Sequence, residues 1–97
     1  MKLEFAEEVE FEVAAARDTL EAEREGLGGA FLDEIDATLA RIVNRPHQFP
    51  ALAGTRMRRA LTKRFPYMVV FAVHGGVVRI LCVSHQHRDP AFYRRGF

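Results

Sequence analysis

Tyr67-Met-Val-Val-Phe-Ala-Val73 and Val77-Val-Arg-Ile-Leu-Cys-Val83 decide the fold, because only His74-Gly75-Gly76 separates two runs rich in β-branched and aromatic residues. Such a pair reads as a β-hairpin. Odd and even positions of both runs are largely apolar, whereas a sheet with one face in water alternates apolar with polar. Both faces of the hairpin therefore call for cover. The rest of the chain supplies two helices, enough for one face, so the expectation is an open second face that receives something else.

Toward the amino terminus, Lys2-Leu-Glu-Phe5 alternates and reads as a short first strand. Glu7 to Glu25 follows a helical period, with Val9, Val13, Ala16 and Leu20 as the apolar stripe and Glu7, Glu8, Glu10, Glu12 and Asp18 outside it. Gly26-Leu-Gly-Gly29 interrupts that helix. A second helix is expected from about Gly29 to Asn44, with Phe31, Ile35, Leu39 and Ile42 facing inward. The short connection makes the two helices antiparallel neighbours. Pro46 and Pro50 stop the second one, since each lacks an amide donor and restricts the residue before it. His47 to Gly54 reads as a loop anchored by Phe49 and Leu52.

Arg56 to Phe65 reads as a further strand, bent at Phe65-Pro66 and paired with Tyr67–Val73. Beyond Val83 the chain turns polar, and Asp89-Pro90 suits the start of a helical turn. The order β-α-α-β-β-β makes an α+β fold: an antiparallel helical hairpin on one face of a small, mostly antiparallel sheet. Residues 1–97 are read as a single domain. A chain of this length buries only roughly 60–65% of the surface its unfolded form exposes, so a partner would add to its stability.

The formal charge of +1 conceals an asymmetry. Residues 1–55 hold twelve acids against five bases, a net of −7, and residues 56–97 hold nine bases against one acid, a net of +8. A basic carboxyl-terminal half suits an anionic partner, either nucleic acid or an acidic protein segment. A single cysteine, Cys82, forms no internal disulfide and fits a reducing, cytoplasmic setting. No apolar run approaches the roughly 18 residues of a membrane helix.

Chemistry concentrates at the polar exit. His85 and His87, two apart, share a side if the strand persists, and Arg88 and Tyr93 follow. Cleaving RNA at a 2′-hydroxyl requires a base, a cation for the crowded phosphate and an acid for the leaving oxygen. Histidine, arginine and tyrosine can fill these roles, although the same residues also make an ordinary solvated strand end. A zinc site would need ligands beyond the two histidines, and the glycines follow a helix where a phosphate loop needs a strand. No metal and no cofactor is expected. Arg56, Arg58, Arg59, Lys63, Arg64, Arg79, Arg88, Arg94 and Arg95 form the broad basic feature, suited equally to phosphates and to carboxylates.

Arg58-Arg-Ala-Leu-Thr-Lys-Arg-Phe-Pro-Tyr67, then an apolar hairpin, then His85-x-x-Arg88-Asp-Pro90-x-x-Tyr93-x-Arg95, resembles the ParE branch of the RelE/ParE toxin superfamily. Gly26-Leu-Gly28, Phe31-Leu32 and the Arg45-Pro46-x-x-Phe49-Pro50 loop are similar too. The resemblance implies the toxin of a bacterial type II toxin–antitoxin pair, held inactive by a ParD-like antitoxin in a hetero-oligomer. ParE-like members poison DNA gyrase, whereas RelE-like members cut messenger RNA on the ribosome. A gyrase inhibitor without chemistry of its own is the leading expectation, since no acid but Asp89 lies near the histidines in sequence. The alternative is a metal-independent endoribonuclease with His85, Arg88 and Tyr93 as catalytic residues. An inert relative that only forms complexes is the third. Contact with antitoxin or target is assigned to Arg58, Arg64, Arg79, Leu81, Val83, Arg88, Arg94 and Arg95. The antitoxin is expected as an acidic amphipathic segment in a groove near Leu81 and Val83, its carboxylates meeting Arg79 and Arg88.

Overall fold

The computed structural model describes residues 1–86. His87, Arg88, Tyr93, Arg94, Arg95 and the Asp89-Pro90 turn lie outside these residues. Strand β1 (Lys2–Phe5) leads into α1 (Glu7–Glu23) and α2 (Leu27–Asn44). A 3₁₀ turn at Pro46–Gln48 follows, and then β2 (Met57–Leu61), β3 (Tyr67–His74) and β4 (Val77–His85). The four strands form one sheet in the order β1-β4-β3-β2. β1 runs parallel to β4, and the other two pairings are antiparallel.

The break between the helices is built from glycine and a carboxylate. Gly26 sits in the left-handed region at φ 91°, where a side chain would be strained. Both Glu21 carboxylate oxygens accept from the Gly26 N–H, at 3.0 and 3.2 Å, and Oε1 also accepts from Gly28 N–H at 2.9 Å. These contacts satisfy amide donors at the start of α2, which has no side-chain cap of its own. They also hold the Glu21 carboxyl below its ordinary range. The turn is consequently tighter than the glycine cluster suggests, and α2 begins at Leu27 instead of Gly29.

β2 ends at Leu61, short of the expected Phe65, because Thr62 redirects the chain. Its hydroxyl donates to Phe65 O and Tyr67 O, and its amide donates to Tyr67 O at 3.1 Å. Phe65 is thereby turned under α2, where its ring meets Phe31 edge-on at 5.7 Å.

Both helices pack on one face of the sheet. Val9, Ala16 and Leu20 of α1 and Phe31, Ile35 and Ile42 of α2 bury against Ala60, Val69, Phe71, Val78, Ile80 and Val83. The second face departs from expectation. Met57, Met68, Val70, Leu81 and Cys82 form a separate cluster, each 9% exposed or less, with Leu52 and Ala72 packed against it. The loop that supplies Leu52 is tied down by the Leu52 N–H donating to Met57 O at 2.8 Å and by an Ala51–Arg58 bridge. Among the described residues, the apolar side chains of β3 and β4 on this face are thus buried and form no open groove.

A register shift explains the placement of Leu81 and Val83. Val70 pairs with Cys82 but Phe71 pairs with Ile80, so Leu81 is the extra residue of a β-bulge. Side chains alternate faces along a regular strand, and one inserted residue reverses the alternation beyond it. Val78 and Ile80 face the helices, Leu81 and Cys82 face away, and Val83 faces the helices again. The expected groove lined by Leu81 and Val83 together is therefore absent: they are buried in different clusters.

Candidate functional site

Two surfaces bring together residues able to act on a partner. The first is the cationic rim of the second sheet face. Met57 belongs to the outer cluster and Ala60 to the inner one, so alternation along β2 places Arg59 outward and Arg58 inward. Arg58 is accordingly structural. Its Nη1 donates to Phe49 O at 2.6 Å and to His47 O at 3.5 Å, fastening the loop after the 3₁₀ turn. Arg59 pairs in register with Val70 and Arg79 with Ala72, so the two arginines stand on the same face, on the strands either side of β3. Arg79 is also opposite Glu4 of β1 in the register, with no ion pair between them. Among the described residues the ion pair formed is Arg17–Asp18 at 2.9 Å, leaving Arg59, Arg64 and Arg79 without one. The Arg64 guanidinium lies over the Phe65 ring, 5.4 Å from its centroid.

The second surface is a cleft of about 290 Å³ between α1 and the ends of β3 and β4, lined by Glu12, Ala15, Thr19, Tyr67, Val83 and His85 among others. Tyr67 and His85 are register partners beyond the bulge, and their rings meet edge-on at 5.6 Å. Glu12 projects from α1 and its Oε1 accepts from the Val83 N–H at 3.0 Å. A carboxylate thus stands in the same cleft as the imidazole and the phenol, which the local sequence around His85 does not contain. Ser84, opposite Met68 in the register, also lines this cleft, and its buried hydroxyl has no hydrogen-bond partner among the described residues.

Of the residues read as contacts, Arg64 and Arg79 are exposed, Arg58 is engaged internally, and Leu81 and Val83 are buried. Of the residues read as catalytic, His85 is placed and Arg88 and Tyr93 lie outside the described residues. The sequence reading missed Glu12 as a member of the cleft and Arg59 as the outward member of its pair. Glu12 is four residues before Ala16 of the buried stripe, which was a signal that it flanks the core. Among the described residues no three His, Cys, Asp or Glu side chains cluster as metal ligands, and no helix is long and apolar enough to cross a membrane.

Comparison with solved structures finds the same architecture in toxin–antitoxin proteins. The chain is similar to one in the chromosomal ParDE system of P. aeruginosa, with a TM-score of 0.77 at 16% identity over 88% of this chain and 95% of that one. It is also similar to a chain of the intact E. coli RelBE complex, with a TM-score of 0.66 at 18% identity over 90% and 98% of the two chains. The isolated E. coli RelE toxin gives a TM-score of 0.66 at 17% identity over 98% and 94%. These identities speak for the fold alone. A sequence search of curated proteins finds no match. The model of the ParE toxin of type II toxin–antitoxin systems matches residues 3–90, nearly the whole chain, and the chain belongs to that family.

Proposed function

We propose that this toxin inhibits DNA gyrase by binding it, without catalysing a reaction, and that a ParD-like antitoxin neutralises it. The observation that carries this reading is the match to the ParE model over residues 3–90. The geometry of Glu12 supports it. A carboxylate that accepts a main-chain N–H from β4 serves the fold, and using it as a proton acceptor would weaken that contact.

The antitoxin segment is acidic, and its carboxylates meet Arg79 together with Arg59, which shares that face. Arg64, Arg88, Arg94 and Arg95 remain assigned to antitoxin or target. Guanidinium groups suit this role because each binds a carboxylate through two parallel hydrogen bonds. Leu81 and Val83 contribute by holding the strand, being buried. The test is expression of the chain with and without the antitoxin in the same host. Growth arrest with accumulated DNA breaks, relieved by the antitoxin, is the expected result, and arrest with intact DNA excludes gyrase as the target.

A second reading rests on the cleft. Glu12, Tyr67 and His85 line one space, so a phenol and an imidazole stand together beside a carboxylate that braces β4. In that reading His85 takes the 2′-hydroxyl proton, the freed oxygen attacks the adjacent phosphorus, and the leaving 5′-oxygen is protonated by Tyr67. Transcript cuts in a translating extract that disappear in His85→Ala, with Glu12→Gln retaining them, support it. Uncut transcripts exclude it.

A further inference from the structure

Two exposed apolar surfaces of the protein differ in the sign of the charges beside them. Between α1 and α2, beside the end of β1, lies an open cleft of about 610 Å³ whose apolar lining includes Phe5, Val13 and Leu39. Phe5 is 49% exposed. Glu7, Glu10 and Asp36 stand on the rim, and none of the three forms an ion pair with a described residue. The one cation of the lining, Arg17, is engaged with Asp18.

At the edge of the sheet formed by β2 the relation is reversed. β1 and β2 are the two edge strands, and because β1 is parallel to β4 and β3 antiparallel to both neighbours, they run in the same direction. Leu61 ends β2 with 44% of its surface exposed. Arg59, Lys63 and Arg64 are close to it in sequence, and the Arg41 Nη2 donates to Leu61 O at 2.9 Å. An exposed leucine with cations beside it thus ends β2, and an apolar cleft with three carboxylates on its rim reaches the end of β1, the two edge strands standing roughly 14 Å apart at about 4.8 Å per strand spacing.

We propose that the free toxin associates head to tail, Leu61 of one copy entering the α1–α2 cleft of the next while its arginines and lysine meet the rim carboxylates. Burying Leu61 against Val13 and Leu39 removes apolar surface from water, and the opposed charges fix the orientation. Cleft-to-cleft contact would set like charges against each other, so a symmetric pairing through that cleft is disfavoured. In such a head-to-tail contact each added copy leaves one cleft and one leucine unused, and the assembly is open-ended. Association also covers Arg59 and Arg64, so a concentrated pool of free toxin presents fewer of its cationic groups. This inference does not depend on which target the toxin acts upon.

The test is light scattering on the size-fractionated full chain over a concentration series, in low salt and in about 1 M salt, where the screening length falls to about 3 Å. The expected mass rises with concentration past that of a dimer in low salt and drops toward the monomer in high salt. Leu61→Glu, and separately the double variant Glu10→Lys with Asp36→Lys, are each expected to be monomeric with wild-type circular dichroism. Mixed one to one they are expected to form a dimer and stop there, because the first supplies an intact cleft and the second an intact leucine. A wild-type mass that stays monomeric or stops at a dimer overturns the proposal. So does either variant keeping the wild-type mass, or a mixture that stays monomeric.

Discussion

The carboxylate of Glu12, on the first helix, accepts a hydrogen bond from the main-chain N–H of Val83, on the last strand, across 71 residues of sequence. It ties α1 to β4 just beyond the bulge, where β1 has ended and no longer pairs with β4. Glu12→Ala removes the acceptor from a part-buried amide and should cost about 1–3 kcal/mol, measured as a lower denaturant midpoint with an unchanged slope. Glu12→Gln keeps a carbonyl oxygen in place and should lose less. Equal losses in the two variants would show that charge, and not the hydrogen bond, is what matters there.

Glu21 gives the fold an acid-sensitive element. Hydrogen bonds from Gly26 and Gly28 lower its pKa below the ordinary 4.5. A carboxyl depressed in the folded state contributes stability that is fully present above its unfolded pKa and is lost as pH falls through the folded one. The thermal midpoint should therefore decline below about pH 4.5, and Glu21→Gln should flatten that decline while lowering stability at neutral pH. An acid limb identical in the variant and the parent would assign it to other carboxyls.

Two glycines of α2 should respond in opposite directions. A Cβ at Gly28 would stand 2.9 Å from Glu21 Oε1 and 3.0 Å from the Arg17 main-chain oxygen, so the helices must part to admit it. Gly28→Ala should cost about 1–3 kcal/mol through overpacking. At Gly29 nothing lies within 4 Å of an added Cβ. Gly29→Ala should raise stability by up to about 1 kcal/mol, because alanine loses less backbone entropy in a helix. Thermal melts of the two variants against the parent decide both.

The neighbouring arginines of β2 should separate by role. Arg58→Ala removes a donor to Phe49 O and should lower the melting temperature, whereas Arg59→Gln combined with Arg79→Gln should leave it nearly unchanged. The double neutralisation should instead weaken antitoxin binding at low salt and reduce the salt dependence of what remains. Calorimetric titration at two salt concentrations measures this, and an undiminished affinity would remove the second sheet face from the antitoxin contact.

Much of the architecture was legible because its signals are local. The two apolar runs around His74-Gly75-Gly76 became β3 and β4, and the stripes from Val9 and from Phe31 became the buried sides of the two helices. The bulge was not legible, since Ile80, Leu81, Cys82 and Val83 are all apolar and carry no mark of which face each takes. The reading of Leu81 and Val83 as one groove failed on that single extra residue. Arg58 and Arg59 are likewise identical in type, and only the burial of Met57 and Ala60 on opposite faces tells them apart. The second sheet face was expected to be open because helices alone were counted as cover, which left out the loop of Leu52. Glu12 joined His85 and Tyr67 through packing of α1 on β4, a relation no spacing within the chain records.

The most direct measurement of the account is supercoiling by purified gyrase, titrated with the free toxin and then with its antitoxin. Loss of supercoiling at a stoichiometric excess of toxin, restored on adding antitoxin, is the predicted result. Supercoiling that continues unchanged under that excess would contradict it.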